Sequence, residues 1–108
     1  MKIEVEETPE KKIVRLRGTL DLYASGPVRA EIVKQIDSAG TKEVVVDLSG
    51  VNYIDSGGMS SLVAGLKESR EKKVELVLTG MNGKVKGVFE MTKLIRIFDI
   101  RDSGDLQT

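Results

Sequence analysis

The chain contains no histidine and no cysteine. Without imidazole there is no base for Ser-His-Asp hydrolysis, and without either residue every Cys/His zinc site is excluded. Thiolate chemistry goes with them. There is also no excess of either charge: 17 Lys and Arg balance 17 Asp and Glu, for a formal net charge of zero. A protein that grips a nucleic-acid backbone normally shows a basic excess, so no direct nucleic-acid partner is expected. Long apolar runs are missing, and the opening MKIEVEETPEKK is charged and strand-like, unlike a signal peptide. The expectation is a cytoplasmic protein with no membrane partner, no metal and no cofactor. With no base, metal cluster or acid pair in view, no enzyme is expected either. The 108 residues suit one domain, with a core over about 3–100 and a frayed tail at 101–108.

What is present centres on the stretch from Val44 to Leu66, VVVDLSGVNYIDSGGMSSLVAGL. Val44, Val45 and Val46 form a β-branched run suited to a strand buried on both faces. Asp47 to Tyr53 carries turn chemistry. Met59, Leu62, Val63 and Leu66 then follow the helical i, i+3, i+4, i+7 pattern. Asp55-Ser56-Gly57-Gly58 therefore sits where an extended segment meets a helix N-terminus, which carries unpaired N–H groups and favours anions. Asp and Ser are ordinary caps there. Three sharper uses of Ser56 are a nucleophile elbow, a phosphate-cradling loop and a phosphate acceptor. The first lacks its histidine. The second lacks the Lys-Ser/Thr pair, since Met59-Ser60 follow the glycines. The third needs only an exposed hydroxyl on an uncrowded loop.

Taken in order, Lys2 to Glu7 alternates as a half-buried strand and Ile13 to Leu20 returns antiparallel to it. Asp21 to Gly26 is expected as a loop, with Pro27 at the first position of a helix that carries Val28, Ile32 and Ile36 inward. Gly40 is expected to stop that helix. Glu68 to Lys73 is a solvated charge run, and Val74 to Thr79 is a further strand. Val85, Val88 and Phe89 face inward from a short helix whose end Met91 and Leu94 are expected to seal. Ile95 to Ile100 closes the set as a strand. The order β-β-α-β-α-β-α-β predicts an α/β domain: a mixed, mostly parallel sheet, an antiparallel first strand and helices packed on it. The parallel strands would bring the loops of Asp21, Tyr23, Ser56 and Gly80 to one edge.

Four pieces of the chain, Gly18-Thr19-Leu20-Asp21, Val45 to Val51, Ile54-Asp55-Ser56-Gly57-Gly58-Met59 and Val85 to Thr92, stand in order with compatible spacing. Together they resemble the STAS domain family, and within it the stand-alone bacterial anti-sigma-factor antagonists. The resemblance runs from about Ile3 to Ile100. It implies a protein that binds an anti-sigma factor with serine kinase activity, frees a sigma factor, and is released when its own serine is phosphorylated. A serine phosphatase would reset it. Carried onto this chain, the resemblance makes Ser56 the acceptor, with Asp55 beside it and Asp21 on the facing loop. Tyr23, Gly57, Gly58 and Met59 complete the expected partner-binding set. Ser60 and Ser61 match no acceptor position. Family members commonly carry Ser or Thr after the acceptor, and Gly57 there implies a looser loop. They often read Thr-Gly-Leu where Thr92-Lys93-Leu94 stands, and their final helix is missing here or reduced to Ser103 to Thr108. Two other readings stay open: a non-switching STAS subunit of a transport or signalling complex, and a nucleotide- or phosphate-ligand domain.

Overall fold

The computed structural model describes residues 1–101. Strands β1 (Lys2–Glu7), β2 (Lys11–Leu20), β3 (Glu43–Ile54), β4 (Glu75–Thr79) and β5 (Asp99–Arg101) form one sheet in sequential order. β1 is antiparallel to β2, and the other neighbours are parallel. Each parallel step is made through a helix: α1 (Leu22–Asp37), α2 (Ser56–Lys72) and α3 (Gly83–Met91). All three crossovers step in the same direction across the sheet. A right-handed connection then puts all three helices on one face. Their buried residues, including Val28, Ile32, Leu62, Leu66, Val85 and Phe89, share a core with Val14, Leu16, Val46, Leu48 and Leu78. The opposite face holds a small cluster of Ile13, Val45 and Val77. Ion pairs flank it in the strand register, Arg15–Asp47 at 3.5 Å and Arg101–Glu43 at 3.4 Å.

The order of strands and helices is as expected, and Val44 to Val46 are buried on both faces of β3. Several local expectations are corrected. Asp47 to Tyr53 is strand rather than turn. Its turn-forming residues are absorbed by irregularities where Arg15 to Arg17 faces Asp47 to Gly50 and Gly18 to Thr19 faces Val51 to Tyr53. Each leaves an extra residue on β3, and Asp47 Oδ1 accepts from the Ser49 N–H at 2.9 Å within the first.

Helix α1 begins at Leu22, so Asp21 to Gly26 is not a loop and Pro27 lies inside the helix. The Asp21 carboxylate outweighs the proline signal because it satisfies a first-turn N–H directly. The same helix ends at Asp37, before Gly40. The last strand is three residues, Asp99–Arg101, preceded by a 3-10 turn over Leu94–Arg96. Arg101 is therefore paired in the sheet, and the rest of the expected tail and reduced helix lies outside the described residues. Met91 seals nothing, being 80% exposed, whereas Leu94 is half-buried against the core.

Candidate functional site

The three helices start on one edge of the sheet, each capped by the residue before it. Asp21 Oδ1 accepts from the Ala24 N–H at 3.0 Å, Asp55 Oδ1 from the Gly58 N–H at 2.9 Å, and Asn82 Oδ1 from the Val85 N–H at 2.9 Å. Each is the side-chain-to-N3 bond expected at a helix start. The caps of α1 and α2 are neighbours because Leu20 pairs with Ile54, and the Asp55 N–H donates to the Leu20 carbonyl at 3.3 Å. Asp21, Asp55 and Ser56 thus stand together on the edge, as expected from the parallel strands.

Ser56 is the first residue of α2 and is exposed. Gly58 N–H is taken by the Asp55 side chain and Met59 N–H by the Asp55 carbonyl at 2.8 Å. The Ser56 and Gly57 amides are the first-turn donors that these caps leave over. Ser60 and Ser61 lie within α2, each with its hydroxyl donating 2.6 Å back to a carbonyl, of Gly57 and Gly58 respectively. Ser61 is buried.

The two glycines do not loosen this turn. A Cβ on Gly58 would collide with the Leu20 carbonyl, and one on Gly57 would stand 2.7 Å from Leu22 Cα and 2.9 Å from its Cβ. Both are helical, and both are small because the first turn of α2 packs directly on the β2–α1 junction. Gly57 therefore carries the expectation of a looser loop the opposite way.

The expected partner-binding residues divide by depth. Asp21 and Asp55 are half-buried, Ser56 is exposed, and Gly58 and Met59 are buried. Tyr23 is 90% exposed on the same edge. It lines a shallow hollow with Met1, Ile3 and Thr19, on the β1 side of α1 and away from α2. Leu22, which no motif flagged, is the α1 residue against Gly57, and it is 67% exposed. Its signal was Asp21 read as a cap, which would have placed an apolar residue at the first helical position. A groove of about 690 Å³ runs from Ser56 along α2. Met59, Val63, Val88 and Leu94 supply its apolar lining, and Arg29, Lys67, Glu68 and Glu71 its charges. The Glu68 carboxyl is raised above its ordinary value, first by a hydrogen bond with Asp37 and then by desolvation and the Asp37 charge.

The mixed sheet, the three helices on one face and the capped Asp-Ser turn define the architecture of a small α/β domain. The STAS domain family model matches residues 2–105, and the chain belongs to that family. Among its relatives is the anti-sigma-B factor antagonist of Staphylococcus aureus, 28% identical over 109 residues, covering 99% of this chain and 100% of that one. The fold is that of an anti-sigma-factor antagonist (STAS) domain protein from Planctomyces limnophilus, at 18% identity and TM-score 0.80, covering 94% of this chain and 90% of that one. It is likewise that of the Bacillus cell fate determinant SpoIIAA in its phosphorylated form, at 21% identity and TM-score 0.73, covering 94% and 91%.

Proposed function

We propose that this protein is an anti-sigma-factor antagonist switched by phosphorylation of Ser56. The observation that carries the reading is the Ser56 hydroxyl itself: exposed, first in α2, on the edge where Asp21 and Asp55 meet. The end-to-end alignment with the Staphylococcus aureus antagonist supports the same role. Unphosphorylated, the protein binds an anti-sigma factor with serine kinase activity in the cytoplasm, and a sigma factor is freed. In the complex, Ser56 Oγ attacks the γ-phosphorus of ATP. The bond to the bridging oxygen breaks, ADP departs, and the hydroxyl proton passes to a base on the kinase. A serine phosphatase returns the hydroxyl by hydrolysis. The antagonist supplies the acceptor and the docking surface, and it is not itself the enzyme.

The physics of the switch follows from where the phosphate lands. It adds about −1.5 to −2 charges. The helix N-terminus accommodates these, contributing roughly 0.3–1 kcal/mol, so the fold survives. An interface laid over the same turn must strip water from the new charge at a cost of several kcal/mol, and each ~1.4 kcal/mol is tenfold in affinity. Asp21 and Asp55 add like-charge repulsion. The test is intact-mass analysis after incubation with the source organism's anti-sigma factor kinase and Mg·ATP. One phosphoryl addition to the native protein, and none to Ser56→Ala, is the expected result. An addition that persists in Ser56→Ala overturns the assignment of the acceptor.

A further inference from the structure

We propose that Leu22 is the apolar anchor by which the anti-sigma factor kinase holds the unphosphorylated protein, and the contact that a phosphoryl group on Ser56 breaks. The inference rests on the function proposed above and names a residue that the Asp-Ser motif does not contain. Leu22 is the first residue of α1 and is 67% exposed, yet its backbone is held against Gly57, the residue after Ser56. A kinase that brings a γ-phosphate to Ser56 Oγ works on the turn that packs against this leucine. Fully burying an exposed leucine side chain removes its apolar surface from water, which favours association.

The other large exposed apolar residues among the described ones are placed differently, with Met1 and Val5 at β1 and Ile97 after the 3-10 turn. Tyr23 lines the hollow on the β1 side, Tyr53 lies before the turn on β3, and Met91 ends α3. Leu22 is packed at its backbone on the acceptor turn.

The surroundings of Leu22 also state the chemistry of what covers it. Asp21 precedes it, and Asp55 caps the helix turn that it touches. Each carboxylate uses one oxygen for its cap bond, leaving the other for a partner. Neither Leu22–Ser25 nor Ser56–Met59, the two first turns, contains a Lys or Arg, and Arg29, further along α1, lines the groove that begins at Ser56. The complementary surface is an apolar pocket rimmed by cations. A cationic rim also suits a kinase that carries ATP beside the pocket. A phosphoryl group on Ser56 then brings its hydration shell to the mouth of that pocket, and the leucine can no longer be buried dry.

The experiment is a titration of the recombinant anti-sigma factor kinase, with Mg·ADP bound, by the native protein and by Leu22→Ala, Leu22→Asp and Met91→Ala. Met91 is an equally apolar side chain, 80% exposed, at the far end of α3. Thermal melts of each variant check the fold, since Leu22→Ala keeps the Cβ and the backbone contact with Gly57. Leu22→Ala is expected to weaken binding roughly tenfold to hundredfold, the loss of one buried leucine side chain. Leu22→Asp is expected to abolish binding with Ser56 intact, and Met91→Ala to stay within about twofold. If Ser56→Asp abolishes binding while Leu22→Ala leaves it unchanged, the anchor is overturned and the switch stands. If the native protein does not bind the kinase at all, both are overturned.

Discussion

The Leu20 carbonyl receives the Asp55 N–H at 3.3 Å and at the same time fills the space that a side chain on Gly58 would need. One backbone group thus fixes both the cap of α2 and the closeness of its first turn to β2. The acceptor turn is rigid for that reason. Gly58→Ala is expected to destabilise the protein by about 2–4 kcal/mol, since the obstruction is backbone and cannot rotate away. Gly57→Ser, which would restore the hydroxyl common in the family, is expected to cost about 1–3 kcal/mol against Leu22. Urea unfolding measures both, and an unchanged midpoint for Gly58→Ala contradicts the packing described.

The helix caps can be separated from the switch. Asp55→Ala removes the acceptor for the Gly58 N–H and is expected to cost about 1 kcal/mol, as is Asp21→Ala at the Ala24 N–H. Asp55→Asn keeps an oxygen in place and is expected to stay within about 0.5 kcal/mol of the native protein. If binding to the anti-sigma factor falls with Asp55→Asn while stability holds, the charge itself contributes to recognition. Denaturant titration paired with binding isotherms reads the two effects apart.

Lys93 adopts a left-handed backbone, φ 62°, at the position where family members often carry glycine. A side chain in that region costs about 1–2 kcal/mol relative to an ordinary conformation. Lys93→Gly is therefore expected to raise stability by roughly 0.5–1 kcal/mol, the relief being partly offset by the freer unfolded chain. A calorimetric melt checks the sign.

Much of this architecture was legible in the residues, for stated reasons. The Val44 to Val46 run marks a central strand, and the change of period at Met59 marks a helix behind Asp55-Ser56. Those two signals place Ser56 correctly at the edge. Local chemistry misled where tertiary pairing outweighed it. Asp47 to Tyr53 reads as a turn by composition, yet pairing with β2 holds it extended and displaces the extra residues into irregularities. Pro27 reads as a helix start, yet the Asp21 carboxylate begins α1 five residues earlier. That misplacement hid Leu22, because a loop leucine carries no message while a first-turn leucine on a helix does. The purpose of Gly57 and Gly58 was invisible for a different reason. Their smallness answers to Leu22 and Leu20, residues distant in the chain.

One surface pair, Glu68 of α2 with Asp37 of α1, should make stability depend on pH. The hydrogen bond between Glu68 and Asp37 raises the Glu68 pKa. A pKa raised on folding contributes stability that is fully present below the unfolded-state value and is lost as pH rises through the folded one. Glu68→Gln should therefore flatten the dependence of stability on pH across that window, by a small amount at so open a site. Carboxyl-detected NMR titration is expected to show Glu68 titrating above the ordinary glutamate value. An ordinary midpoint contradicts the pairing with Asp37.

The central claim is that a phosphoryl group on Ser56 removes the partner without unfolding the antagonist. The most direct measurement is calorimetric titration of the anti-sigma factor with the native protein in its unphosphorylated and stoichiometrically phosphorylated forms, alongside their melting curves. The expected result is at least a hundredfold loss of affinity on phosphorylation, the equivalent of about 3 kcal/mol, with the two melting temperatures nearly equal. Equal affinities, or a phosphorylated protein that binds weakly because it has unfolded, would contradict it.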